Sequence, residues 1–168
     1  MDTFGLGLVL ALICVGVHYE GLSLATSLIR KVPIAHRMRV VFGLIAAIFA
    51  HIFEVMIFAV GWFVLDMFGL AKLSIPDAQF GDHVYFSFTT YTSLGYGDIV
   101  PLGPARFIAG LESLLGLVLI AWTASFTYFE MTLYWEESHP IDLQRARVTA
   151  RRLGNAERPR PRHERIDE

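Results

Sequence analysis

Charge is scarce in this chain. Only 18% of its 168 residues are Asp, Glu, Lys or Arg, and the formal net charge is −2. So small a balance gives no electrostatic reason to bind nucleic acid. Cysteine is nearly absent: Cys14 stands alone inside an apolar run. It has no intrachain disulfide partner, and it reads as a small buried hydrophobe. No HExxH or paired catalytic motif occurs, so no enzyme is expected. No self-similar period marks a solenoid. The start, Met1-Asp2-Thr3, lacks the basic region of a cleavable signal peptide, and the apolar stretch behind it is too long for one.

Apolar residues are abundant instead. They make up 54% of the chain, and the mean hydropathy is +0.49. That points to a membrane protein. Three segments reach the roughly 20 apolar residues needed to cross a bilayer. The first is Phe4–Ile29, interrupted by His18-Tyr19-Glu20-Gly21; the second is Met38–Phe68, carrying His51 and Glu54; the third is Pro104–Leu133, carrying Glu112. The few charges orient them. Residues 30–39 hold Arg30, Lys31, Arg37 and Arg39 and no acid, whereas residues 66–106 hold Asp66, Asp77, Asp82 and Asp98 against Lys72 and Arg106. Short basic loops stay in the cytoplasm. The expected topology has the N-terminus outside and the C-terminus inside the cell membrane, and the eight arginines after Trp135 agree with it. The domain plan is an additional N-terminal spanning helix (1–30), a cytoplasmic basic loop (31–39), a central module (40–134) and a partly disordered polar tail (135–168). In the tail, Ser138 is expected to cap a short helix from Pro140 to Leu153, ended by Gly154. Arg145, Arg147, Arg151 and Arg152 either form a solvated flank or contact anionic lipid head groups.

Between the second and third spans lies Thr89-Thr90-Tyr91-Thr92-Ser93-Leu94-Gly95-Tyr96-Gly97-Asp98. Such a polar strip cannot face lipid, because its backbone groups would lack partners. Gly95 and Gly97 permit positive φ on alternate residues, which can turn successive carbonyls the same way. A row of carbonyls aimed at one axis is a dehydrating cage for a cation. The aromatic stretch Asp82–Tyr91 before it is about three turns long as a helix, too short to span. Gly81-Asp82 is the expected cap. The C-terminal end of that helix would aim partial negative charge into the membrane.

The strip resembles the selectivity filter of potassium channels, T-x-x-T-T-V-G-Y-G-D, with Ser93 in place of threonine and Leu94 in place of valine. From about Val40 to Phe129 the chain looks like the pore module of that two-transmembrane superfamily. The implied fold is an all-α membrane protein: three transmembrane helices with a re-entrant pore helix and filter loop, assembled as a homotetramer. The implied function is passive, potassium-selective conduction, with permeant K+ and no other cofactor. By resemblance, the carbonyls of Ser93, Leu94, Gly95 and Tyr96, with Gly97, hold the ion. Thr92, Asp98 and Glu112 brace the filter and its mouth. Gly116 corresponds to the hinge of the inner helix, although close packing of that helix explains a glycine there equally well. Leu117, Ile120, Ala121 and Ala124 share a helical face that would line the cavity.

Other readings stay open. Ser93 and Leu94 could loosen the cage and give a weakly selective cation channel. His51 and Glu54, three apart, share a helix face and form either a mutually satisfied pair, a proton sensor or part of a metal site, which that spacing alone does not complete. With His18 and Glu20 they could instead serve a proton-coupled transporter. A subunit that assembles with another channel is a further reading. No span carries arginine at every third position, so no voltage sensor is expected.

Overall fold

A computed structural model describes residues 3–32, 36–138 and 148–151. Within them the chain forms four helices: α1 (Thr3–Lys31), α2 (His36–Met67), α3 (Phe80–Tyr91) and α4 (Arg106–Ser138). A single 3₁₀ turn, Gly103–Ala105, leads into α4 with Pro104 in its first turn, where the missing N–H is harmless. Three stretches are long and apolar enough to cross a membrane: Phe4–Ile29, Met38–Met67 and Gly103–Thr132. Each satisfies its backbone internally as a helix and turns most of its apolar side chains outward, as lipid requires. α1 runs unbroken through His18-Tyr19-Glu20-Gly21, so the polar interruption of the apolar run does not interrupt the helix. The helical ladder needs no change there because His18 finds a buried partner on α2 rather than water.

α2 stops abruptly, and the local sequence explains why. Gly69 adopts φ +68, a left-handed conformation that glycine takes without steric cost. The Gly69 N–H then donates to the Asp66 carbonyl at 2.9 Å, and the Leu70 N–H to the Leu65 carbonyl at 2.9 Å. This paired pattern is the Schellman termination. The following segment folds back on the exit of the glycine strip. Ser74 N–H donates to the Val100 carbonyl at 2.9 Å, Leu102 N–H to the Lys72 carbonyl at 2.8 Å, and Val100 N–H to Ser74 Oγ at 3.0 Å.

α3 begins at Phe80, two residues before the expected cap. Gln79 is the cap residue, and Asp82 acts one turn later by accepting the Gln79 backbone N–H at 2.8 Å. A carboxylate at this third helical position satisfies the entering backbone and favours the helix dipole. His83 adds a clamp: it is fully buried, contacts the Gln79 carbonyl through Nδ1 at 2.8 Å, and reaches Asp66 through Nε2 at 3.1 Å.

The core gathers where α1, α2, α3 and the start of α4 meet. Cys14, Phe58, Trp62, Phe86, Ile99 and Ile108 belong to it, and the rings of Trp62 and Phe86 pack edge-on with centroids 5.0 Å apart. In the tail, residues 148–151 are helical; the rest of the expected Pro140–Leu153 helix lies outside the described residues.

Candidate functional site

α3 sits between two spanning helices. Ser87, fully buried near its middle, places its single hydroxyl proton within reach of the Val55 carbonyl of α2 at 2.9 Å and of Glu112 of α4 at 2.5 Å. Val55 and Glu112 both lie inside spans, so α3 reaches membrane depth without crossing it. Glu112 is fully buried and also accepts from Trp62 Nε1 at 2.7 Å. One carboxylate therefore ties α2, α3 and α4 together behind the strip. Such a group is tolerated in a span only when satisfied in this way.

The strip leaves α3 at Thr92. Its hydroxyl donates to the Phe88 carbonyl at 2.7 Å, closing the last turn of the helix. Beyond it the backbone alternates. Ser93 has φ 58, Gly95 φ 49 and Gly97 φ 82. The two glycines were candidates for this conformation from sequence. Ser93 was not, and its presence there gives a physical reason for serine: a β-branched threonine at positive φ is a genuine outlier. Ser93 Oγ lies 2.7 Å from Ser113 Oγ of α4. Its N–H bonds the Thr90 carbonyl at 2.9 Å, and the Gly95 N–H bonds the Thr89 carbonyl at 3.0 Å. Residues 92–98 are all exposed, between buried Tyr91 and buried Ile99. A cleft of about 250 Å³ runs behind them, bordered by Thr90, Ser93, Gly97, Ala109 and Ser113.

The end of the strip away from α3 is held by two aromatic rings and a carboxylate. Tyr85 donates its hydroxyl to Asp98 at 2.8 Å. The Tyr85 and Tyr96 rings are parallel within 3°, with centroids 6.5 Å apart. The bond from Tyr85 holds the Asp98 carboxyl below the usual aspartate range, and the same bond pushes the Tyr85 phenol up. Asp98 also accepts the Ile99 N–H at 3.0 Å, anchoring the turn beyond the strip.

The inner end rests on α4. Gly116 is buried against the C-terminal end of α3, and a Cβ there would overlap the Tyr91 carbonyl group. Close approach of the two helices is therefore what this glycine provides. Leu117, Ile120, Ala121 and Ala124 are all exposed on α4, as is Leu94 in the strip.

The pair read from sequence as His51–Glu54 is larger than its spacing implied. Glu54 is fully buried and meets His18 Nδ1 at 2.7 Å, His51 Nδ1 at 3.1 Å and the Tyr91 hydroxyl. Thr123 of α4 closes the group, 2.9 Å from His51 Nε2 and 3.4 Å from His18 Nε2. Glu20 takes no part in this network. No spacing rule connects His18 to a residue 36 positions away. The available signal was the general one that an ionisable group inside a span needs a partner.

A short helix and a glycine-punctuated strip, seated between two spanning helices, characterise this all-α membrane protein. The family model described as "Ion channel" matches residues 50–132, just under half of the chain, and this segment is similar to the potassium-channel pore module. Among curated proteins it is similar to the inward rectifier potassium channel Kirbac3.1 of Paramagnetospirillum magnetotacticum, 35% identical over 74 residues, which is 39% of this chain and 25% of that protein. It is also similar to Protein LctB of Geobacillus stearothermophilus, 43% identical over 49 residues, or 29% of this chain and 37% of the relative. Protein LctB of Bacillus caldotenax is 41% identical over the same length. The chain thus spans only 25% to 37% of the length of these relatives. No solved structure matches it. The chain carries an ion-channel family segment and three helices long and apolar enough to cross a membrane, as a multi-pass membrane protein does.

Proposed function

We propose that this channel is potassium-selective and conducts passively through a homotetrameric filter built from Ser93, Leu94, Gly95, Tyr96 and Gly97. The observation that carries this reading is the alternation of positive φ at Ser93, Gly95 and Gly97 along an exposed strip. Alternation lets successive carbonyls face one side, which is the geometry that replaces an ion's hydration shell. The exposure supports the tetramer. At membrane depth, bare backbone needs either protein or water beside it. Four copies around an axis supply both, with each chain giving one quarter of the cage. Thr92 and Glu112 brace the strip from inside and behind. Asp98 holds its mouth. Leu117, Ile120, Ala121 and Ala124 then face the cavity below, and Gly116 seats the inner helix against the pore helix and is the candidate hinge. Loop charge supports a mouth outside the cell membrane and a C-terminus in the cytoplasm. The domain plan is the same as that read from the sequence, with 40–134 as the pore module.

The test is ion flux from liposomes holding the purified protein. Potassium should leave faster than sodium. Gly97→Ala should abolish the flux, since a Cβ at φ +82 is strained whatever the space around it. Equal flux from wild type and Gly97→Ala would sink the filter assignment. Equal potassium and sodium flux would retain the channel and remove its selectivity.

A further inference from the structure

We propose that His18, His51 and Glu54 form a binding site for a divalent transition-metal ion of the zinc class, buried at the junction of α1, α2 and α4. Each of the three side chains offers a ligand atom, and these atoms lie within 4.8 Å of one another. Metal–ligand bonds of about 2.0–2.1 Å put the atoms of a tetrahedral set roughly 3.3 Å apart. Side-chain adjustments on the order of 1 Å close the set. Two imidazoles and a carboxylate are a donor set that suits zinc, cobalt, nickel or copper, and not potassium, calcium or magnesium, which take oxygen ligands.

The surrounding groups fit the same occupant. The Nδ1 atoms of both histidines face the Glu54 carboxylate, at 2.7 Å for His18 and 3.1 Å for His51. Both Nε2 atoms converge on one atom, Thr123 Oγ1, at 3.4 and 2.9 Å. When a metal takes both Nδ1 atoms, both Nε2 atoms carry protons and become donors. A threonine oxygen has two lone pairs and can accept both. An outer-shell acceptor that fixes the tautomer of metal-bound histidine is the ordinary arrangement. The Tyr91 hydroxyl supplies a fourth polar atom beside the set, 3.0 Å from His51 Nδ1. A cation also answers the charge of a fully buried carboxylate, which is costly when unpaired in a span.

An approach exists. A cleft of about 350 Å³ between α1 and α4 is lined by Tyr19, Ser23, Thr26, Trp122 and Glu130. Trp122 separates it from the cluster, with its ring centroid 5.4 Å from that of His18. The site is distinct from the strip, but it touches the strip's root: Tyr91 is the last residue of α3, one position before Thr92.

The test uses the purified full chain in detergent, stripped with a chelator and reloaded with Zn2+ or Co2+. Wild type should retain about one zinc ion per chain. With Co2+ it should develop the visible absorption of a tetrahedral nitrogen–oxygen site. His18→Ala and Glu54→Gln should lose both signals. Thr123→Val, which removes only the outer-shell acceptor, should weaken binding by about 10- to 100-fold. His83→Ala, outside the cluster, should bind as wild type does. The cobalt spectrum of wild type requires no variant, so a poorly folding substitution does not leave the question open. Absence of that spectrum, or metal retention undiminished in both ligand variants, overturns the site and leaves a purely hydrogen-bonded cluster. Neither readout depends on ion flux.

Discussion

Gly116→Ala separates two roles for one residue, packing and bending, and the structure assigns a magnitude to the first. An added Cβ would sit 2.8 Å from the Tyr91 carbonyl carbon and 3.1 Å from the Tyr91 ring, with the carbonyl oxygen closer still. A flexible side chain could swing aside. A helical carbonyl cannot, so α3 and α4 must separate. Overpacking of this kind costs about 1–3 kcal/mol, or more where backbone must move. Alanine recovers part of that, because it is better than glycine in a helix by roughly 1 kcal/mol. The net expectation is a loss of up to about 2 kcal/mol, and more where backbone must move. Gly110 is the internal control: it lies in the same helix with nothing within 4 Å of the added Cβ. Gly110→Ala should be neutral or raise stability by up to about 1 kcal/mol.

Thermal unfolding of the detergent-solubilised variants reads the difference directly. Gly116→Ala should melt below wild type and Gly110→Ala at or above it. Flux should fall in Gly116→Ala as well, since displacing Tyr91 disturbs the root of the strip. A Gly116→Ala protein as stable as wild type would refute the packing argument. Altered gating in that same protein would make the glycine a hinge.

Much of this architecture is legible in the residues, because lipid simplifies the physics. The span bounds expected from hydropathy agree with the observed ones to within a residue at each end. Backbone groups in a span have one solution, and composition reveals it. The pore helix was equally visible from its length and aromatic content, but its start was not. Asp82 reads as a cap by residue type, yet it acts one turn inside the helix, with Gln79 at the cap. That distinction rests on backbone angles that no residue type dictates. The partner of His18 was hidden for a related reason. Polar residues in a span signal either exit from helix or a partner elsewhere. For His18 the partner is Glu54, and only the tertiary arrangement of α1 against α2 reveals it. Ser93 is the sharpest case: read as a residue type, it is a threonine lacking a methyl, whereas its φ of 58 makes it a residue for which the methyl would be a burden.

Two further perturbations probe the frame around the strip. In Tyr85→Phe, Asp98 should titrate closer to the ordinary aspartate value of 3.8, because the hydrogen bond that lowers it is gone. The sign follows from the direction: a depressed carboxyl contributes stability above the ordinary aspartate range and loses it as pH falls through its own lower value. Carboxylate carbon shifts followed by NMR against pH would detect the change, and an unaltered Asp98 titration would remove the Tyr85 brace. The second perturbation is at Glu112. Glu112→Gln keeps an acceptor for Trp62 and should cost under about 1 kcal/mol. Glu112→Leu should cost about 1–3 kcal/mol, and the loss should come from one atom. Ser87 still has the Val55 carbonyl at 2.9 Å, so its hydroxyl stays satisfied. Trp62 Nε1, fully buried and 2.7 Å from the missing carboxylate, has no other acceptor among the described residues. Pairing Glu112→Leu with Trp62→Phe removes the orphaned donor together with its partner. The double variant should then be more stable than the sum of the two single losses, with a coupling of about 0.5–3 kcal/mol. Strict additivity in thermal unfolding would show that the Trp62–Glu112 bond does not hold α2 to α4, and the bracing role of Glu112 would fall with it.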